Sequence, residues 1–340
     1  MHYVYALTSS ADDYYYEQFL LSVTSLKLYN PLADAILLCD SRTKETLSGK
    51  RGEYERFVSR TITADAPASF SRVETSRWLK TSIRRLAPGD FLFIDCDTIV
   101  CDDLSAIDRP GIGFGACLDK HSPIDRHHKG ANIIANDKKL GFTSYTSNRH
   151  YNSGIIYCAD TPEIHGIFER WHELWLFCIA KKITRDQVSF NMAIHENQKH
   201  FTELDGTWNC QIAYNGLPYL AHAKIIHYFA SDMVLNESPF LLASDKILQR
   251  IKETGLIPDT AHELLKTPRS AFAPESQICA GQDMLYVLNS SLFQFNFILR
   301  KKIPFLFNCC NGICSLLKKA AKFFIIKSAA RKNKGMQVYN

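Results

Sequence analysis

The sequence predicts an α/β fold, a mostly parallel sheet flanked by helices, followed by a basic, apolar helical tail. Three observations carry that prediction. The first forty residues read strand, helix, strand; Phe91-Leu92-Phe93-Ile94 is an uninterrupted apolar run of the kind buried on both faces of a sheet; and acidic residues stop at Asp283 while basic ones continue to the end.

The elements follow in order. Residues 3–8 form a short β-rich run, and residues 14–28 carry Phe19, Leu20, Val23 and Leu26 at helical spacing. Residues 35–39 are then continuously apolar up to Asp40, completing a βαβ unit and favouring a parallel sheet. A helix is expected over residues 74–86, stopped by Pro88-Gly89. The apolar strand 91–94 ends at Asp95-Cys96-Asp97, and Ile99-Val100 follows. Residues 112–118 are strand-like. The polar stretch 119–150, with His121, His127 and His128, is too long for a plain connection and is expected to be an acceptor-side loop or partly helical. Residues 151–158 return to strand character, residues 163–180 form an aromatic-rich helix, another helix begins near Arg185, and residues 223–229 are a late strand. This organises the chain as an α/β domain over residues 1–240, a helical connecting segment over 241–283 and a basic amphipathic tail over 284–340.

Composition agrees with a folded protein: 340 residues, 46% hydrophobic and 22% charged. The formal net charge of +5 hides a segregation. Ten of the 40 basic residues lie after Asp283 with no Asp or Glu among them, so the rest of the chain carries 30 basic against 35 acidic groups. The first residues lack a basic stretch followed by an apolar one and read as a strand, not a leader. No apolar run of spanning length is present. Eleven cysteines, several inside apolar runs (Cys39, Cys117, Cys158, Cys178), form no C-x-x-C pair and fit reduced, buried thiols in a cytoplasmic protein. Cys309, Cys310 and Cys314 are read as apolar packing.

In the tail, Leu285, Leu288, Leu292, Phe295 and Leu299 make one helical stripe and Tyr286, Phe293 and Phe297 a second. Beyond Arg300-Lys301-Lys302, residues 316–334 mix Phe323-Phe324-Ile325-Ile326 with Lys318, Lys319, Lys322, Lys327, Arg331, Lys332 and Lys334. Apolar side chains accompanied only by positive charge predict in-plane attachment to an anionic membrane, on the inner face of the cell membrane for a cytoplasmic protein. A packed helical cap or dimer contact is the alternative. No nucleic-acid-binding motif accompanies the charge, so nucleic acid is not an expected partner.

Carboxylates at the carboxyl end of a buried strand lie where open α/β sheets bind ligands. Asp-x-Asp alone is an ordinary strand-end turn. Directly after a buried strand, Asp95 and Asp97 can both turn toward one hard divalent cation, which wants oxygen ligands and leaves positions open for phosphate oxygens. Such a cation suits the transfer of a group from a diphosphate donor.

The run Ser76-Arg77-Trp78-Leu79-Lys80-Thr81, then Gly89-Asp90 and the strand up to Asp97-Thr98-Ile99-Val100, resembles the glycosyltransferase family 8 group of GT-A (Rossmann-like) enzymes. Later segments resemble it in the same order: Tyr151-Asn152-Ser153-Gly154-Ile155-Ile156, Arg185-Asp186-Gln187 with Asn191, Trp208-Asn209, and Ile225-Ile226-His227-Tyr228. The resemblance spans about residues 2–230, and its specificity lies in the ordered co-occurrence. It implies a retaining hexosyltransferase using a nucleotide sugar, UDP-linked by preference, with Mn²⁺ or Mg²⁺ held by Asp95, Asp97 and His227. It places Asn152, Asp186 and Gln187 around the donor sugar and reacting carbon, as the catalytic set, and leaves a front-face and a covalent route open. Asp186 also reads as a helix cap. The acceptor would be a saccharide or a lipid-linked glycan. Thr8 and one of Tyr14, Tyr15 and Tyr16 would receive the base. One departure stands out: family members often place a Gly and a Lys after the late histidine to grip the diphosphate, whereas here Tyr228-Phe229-Ala230-Ser231-Asp232 follows. Arg77, Lys80 and Arg84, spaced on one helix face, offer Arg77 and Lys80 as replacements.

Two other readings compete. A nucleotide-sugar pyrophosphorylase would want a Gly-rich basic loop after the first strand, and Thr8-Ser9-Ser10-Ala11-Asp12-Asp13 has no Gly, Lys or Arg. A catalytically silent, membrane-attached scaffold draws on the missing lysine alone, against intact Asp95, Asp97 and Asp186.

Overall fold

The computed structural model describes residues 1–108, 111–229, 239–274, 286–288 and 290–318. Residues 230–232, Leu285, Lys319, Lys322, residues 323–326, Lys327, Arg331, Lys332 and Lys334 of the sequence reading lie outside the described residues. Two compact bodies result, Met1–Cys279 and Ala280–Asn340.

The first body is built on a seven-stranded sheet: β1 (His2–Leu7), β2 (Asp34–Cys39), β3 (Arg60–Thr63), β4 (Phe91–Ile94), β6 (Phe114–Leu118), β7 (Tyr151–Cys158) and β8 (Phe201–Glu203), in the spatial order β3-β2-β1-β4-β7-β6-β8. β1, β2, β3 and β4 run parallel, β7 is antiparallel to β4 and to β6, and β8 is parallel to β6. A three-stranded sheet, β5 (Thr98–Val100), β10 (Ile225–His227) and β9 (Cys210–Gln211), lies alongside in the order β5-β10-β9. The fold is the expected α/β one, a mostly parallel sheet with helices on both faces.

Strand alternation divides the apolar residues between two cores. Tyr3, Tyr5 and Leu7 of β1 and Leu92 and Ile94 of β4 face one layer, while Val4, Phe91 and Phe93 face the other. The first layer is covered by α1 (Tyr15–Tyr29), whose residues 16–26 are all buried, polar ones included. Two of the buried polar groups tie the helix to β5: Ser25 Oγ accepts from the backbone N–H of Val100 at 2.8 Å, and Ser22 Oγ meets Thr98 Oγ1 at 2.9 Å. The helices Asp245–Thr254 and Asp259–Lys266 close the same core through Ile247, Leu248, Ile251, Ala261 and Leu265. The second layer is covered by the long helix Pro162–Ala180, started by the Thr161 cap and Pro162, and by the helix Asp186–Glu196.

Of three local expectations two are revised, while residues 119–150 are partly helical as expected. The helix foreseen over residues 74–86 is two helices, Arg72–Thr81, opened by a Ser71–Glu74 capping box, and Ile83–Leu86, with Ser82 at φ −96° and ψ 0° between them. The polar stretch 119–150 is mostly short turns around one helix, Gly130–Leu140, ended by Gly141 in the left-handed region at φ 74°. Cysteines 39, 117, 158 and 178 are buried and unpaired, but Cys309 and Cys314 are exposed instead of packed.

The described part of the second body is helical over Ser291–Lys302 and again over residues 304–318. Ser290 caps the first of these and Arg300, Lys301 and Lys302 occupy its last turn. Leu292, Phe295, Ile303, Phe305, Ile313, Leu316 and Leu317 are exposed. Among the described residues no helix is long and apolar enough to cross a membrane.

Candidate functional site

The Asp-x-Asp segment sits where the two sheets meet. β4 leaves the large sheet at Ile94, but Asp95 keeps one more ladder bond, donating its N–H to the Gly154 carbonyl at 2.8 Å. Thr98 Oγ1 then donates to the Asp95 carbonyl at 2.8 Å, turning the chain into β5. β5 pairs with β10 so that His227 lies opposite Thr98, and the Tyr228 N–H donates to the Asp97 carbonyl at 3.2 Å. The register of two strands thus brings residues about 130 positions apart to one point.

Single ligand atoms of Asp95, Asp97 and His227 all lie within 4.8 Å of one another. His227 Nε2 is 3.3 Å from Asp97 Oδ1, and its ring stacks on Phe229 with centroids 4.0 Å apart. Two carboxylates with an imidazole are a donor set that could hold a divalent metal ion. Space has been kept for the cluster: a Cβ on Gly154 would come within 2.5 Å of His227 Cε1 and 2.9 Å of Asp95 Oδ2.

A second group of charges faces the first. Lys80, buried, donates to both carboxylate oxygens of Asp95 at 3.0 and 3.1 Å and lies 3.8 Å from Asp186 Oδ2. Arg77 Nε is 3.1 Å from Asp186 Oδ1, and Ser153 Oγ donates to Asp186 Oδ2 at 2.8 Å. Burial by itself would raise the Asp186 carboxyl, but Lys80, Arg77 and the Ser153 hydroxyl outweigh it and hold the group below its ordinary value. Burial pushes the Asp95 carboxyl up; Lys80 opposes that and the Asp97 charge adds to it. Asp186 is the first helical residue, not the cap: Arg185 takes the cap position, with no side-chain capping bond.

The helix that bears Asp186 is fixed to β7 by Asn191, whose Oδ1 accepts from the Tyr151 N–H at 2.6 Å while its Nδ2 donates to the Tyr151 carbonyl at 2.9 Å. Gln187 Oε1 lies 3.5 Å from Asn152 Nδ2. The structure therefore gathers Asp95, Asp97, His227, Arg77, Lys80, Asn152, Asp186 and Gln187 in one region. Arg84 does not join them. The helix break at Ser82 and burial turn its guanidinium to the Phe91 ring, 4.6 Å away, and to the Ala87 carbonyl.

The residues expected to receive a base lie at the end of β1. Thr8 Oγ1 is buried and has no hydrogen-bond partner among the described residues. Tyr16 is buried, Tyr15 is 47% exposed, and Tyr14 donates its hydroxyl to Gln249 Oε1 at 2.6 Å, with Lys252 Nζ 4.8 Å from its ring centre. Sequence reasoning gave no role to Ser153, Asp119 or Lys120. Lys120 is buried with its ammonium 3.2 Å from the Tyr214 ring centre and 4.2 Å from that of Phe229, at a non-glycine φ of 55°. Nothing in its sequence neighbourhood separates it from a solvated lysine.

No protein-family model and no curated protein matches the sequence. Solved structures match the fold. The bifunctional glycosyltransferase WbbM in its apo form superposes with a TM-score of 0.51 at 16% identity, covering 79% of this chain and 52% of WbbM. The galactosyltransferase LgtC, solved with donor and acceptor sugar analogues, superposes with a TM-score of 0.50 at 12% identity, covering 77% of this chain and 99% of its own. The chain spans about half of WbbM and nearly all of LgtC. Its architecture is that of the GT-A glycosyltransferases.

Proposed function

We propose that this protein is a metal-dependent glycosyltransferase of the family 8 kind, moving a hexose from a nucleotide sugar, a UDP-sugar by preference, to a saccharide or lipid-linked acceptor in bacterial surface glycan synthesis. The observation that carries the reading is the meeting of Asp95, Asp97 and His227 beside an ionised Asp186 at the carboxyl end of β4. A Mn²⁺ or Mg²⁺ ion held by those three residues would neutralise charge developing on the diphosphate leaving group. The charges are consistent with that task. Asp95, Asp97 and Asp186 exceed Lys80 and Arg77 by one negative charge, so a divalent ion makes the site positive and receptive to a diphosphate.

The chain's own residues supply the rest. Arg77 and Lys80 take the part of the missing post-histidine lysine, and both already hold Asp186, so a bound phosphate would compete for them. Asp186 is held ionised and faces the sugar, where negative charge stabilises positive charge growing at the reacting carbon. Gln187 and Asn152 lie beside it, and the configuration of the sugar is retained. Thr8, whose hydroxyl has no partner among the described residues, and the Tyr14 side of α1 receive the base. The exposed apolar and basic tail attaches the enzyme to an anionic membrane at the cytoplasmic face.

Donor hydrolysis by the purified protein, measured over several nucleotide sugars with and without Mn²⁺, is the test. Hydrolysis that needs the metal and disappears in Asp95→Asn and Asp97→Asn, with melting curves near the parent's, is the expected outcome. Parental rates in both variants would sink the assignment.

A further inference from the structure

One donor near the metal ligands has no freedom of orientation, the backbone N–H of Gly154. It lies 2.9 Å from Asn152 Oδ1, which must therefore be an acceptor. Asn152 Nδ2 is then the donor directed to Asp119 Oδ1 at 2.9 Å, and the other oxygen of Asp119 meets His127 Nε2 at 3.0 Å. Asn209 also touches Asn152 Oδ1, at 3.0 Å, and only its Nδ2 can do so, since oxygen against oxygen would repel. Its Oδ1 is thereby turned to His227 Nδ1, 3.0 Å away, and can only accept. His227 must therefore carry a proton on Nδ1, which reserves Nε2, on the side of Asp97 and Asp95, for a metal.

We infer that Asn152 and Asn209 form a positioning relay, anchored at Gly154 and Asp119, that sets the tautomer and ring orientation of His227 for metal ligation. The inference rests on the metal site proposed above and gives Asn152 and Asn209 a role behind the ligand His227. Asp119, Asn152, Asn209 and His227 are all buried, at 5%, 4%, 0% and 2% exposure, so water does not offer competing partners. Such outer partners of a ligating histidine typically change metal affinity by about 10- to 100-fold when removed.

The experiment uses the full chain. Long-range ¹H–¹⁵N NMR of metal-free protein at pH 8, with the His227 signals assigned by their loss in His227→Gln, should show Nδ1 protonated. Calorimetric titration with Mn²⁺ should show binding weakened about 10- to 100-fold in Asn209→Ala and less in Asn152→Ala. Should Asn209→Ala lose its cooperative melt, the parental tautomer and Asn152→Ala decide. An Nδ1 without its proton in the parent, or parental Mn²⁺ affinity in a folded Asn209→Ala, overturns the relay while leaving the metal site standing. Absence of Mn²⁺ binding by the parent overturns the metal site, and the relay's purpose with it.

Discussion

Gly154 has no side chain, yet it borders on two of the proposed metal ligands and on Asn152. An added Cβ would meet His227 Cε1, Asn152 Oδ1 and Asp95 Oδ2, all inside van der Waals distance. The neighbours cannot withdraw, because Asn152 and His227 are hydrogen-bonded and buried. Gly154→Ala is expected to cost about 1–3 kcal/mol of stability through overpacking, and to weaken Mn²⁺ binding besides. Denaturant melts and metal titration of the variant check both. Asp186 invites a different change. Its carboxylate is held by Arg77, Lys80 and Ser153, so Asp186→Asn keeps the shape but removes the charge proposed to face the sugar. Transfer should fall by about two orders of magnitude with UDP affinity little altered. Equal losses in rate and affinity would instead mean that Asp186 only orders Arg77 and Lys80.

At the scale of elements, the segment between β6 and β7 carries three histidines from which an acid response is expected. Burial above all holds His121, His128 and His150 down to about 4. An unfolded histidine titrates near the ordinary 6.5. Between those values the unfolded chain binds more protons than the folded one, so stability is fully present above about pH 6.5 and is lost as pH falls toward 4. Melting temperature should decline across that window, and His150→Gln should flatten the slope. Burial pushes the Asp119 carboxyl up, but His127, Lys120 and His150 outweigh it and hold the group well below the ordinary carboxylate range. Its contribution is lost only further down, below about pH 4, where Asp119→Asn should remove part of the remaining slope. This segment was the least legible part of the sequence. Its charges are spaced by turns, and the left-handed residues Lys120, His121 and Asn148 carry no glycine to announce them. The β4 strand and its Asp-x-Asp end were legible because burial on both faces leaves an apolar run. His227 was legible only through ordered resemblance, since its meeting with Asp97 depends on strand pairing across most of the domain. The break at Ser82 had no breaker residue to mark it, and so Arg84 was placed with Arg77 and Lys80.

At the scale of the whole molecule, charge and exposure separate the second body from the first. The first 283 residues carry 30 basic and 35 acidic groups, whereas the remainder has ten basic and none acidic. In the described part of that remainder, Leu292, Phe295, Phe305, Ile313, Leu316 and Leu317 are exposed, and so are Arg300, Lys301 and Lys302. Each basic residue close to an anionic surface contributes about 1 kcal/mol, a sum that salt screens. Inserted aromatic and aliphatic side chains add attachment that salt does not weaken. Full-length protein should therefore sediment with anionic vesicles, less so as salt rises, and hardly with neutral ones. Removal of residues 284–340 should abolish sedimentation while preserving donor hydrolysis, because Asp95, Asp97, Asp186 and His227 all belong to the first body. A truncated protein that aggregates or loses its cooperative melt would show that the tail completes the fold. Salt-insensitive absence of vesicle binding by the intact chain would refute attachment and favour a protein partner, or a second copy, for the exposed apolar side chains.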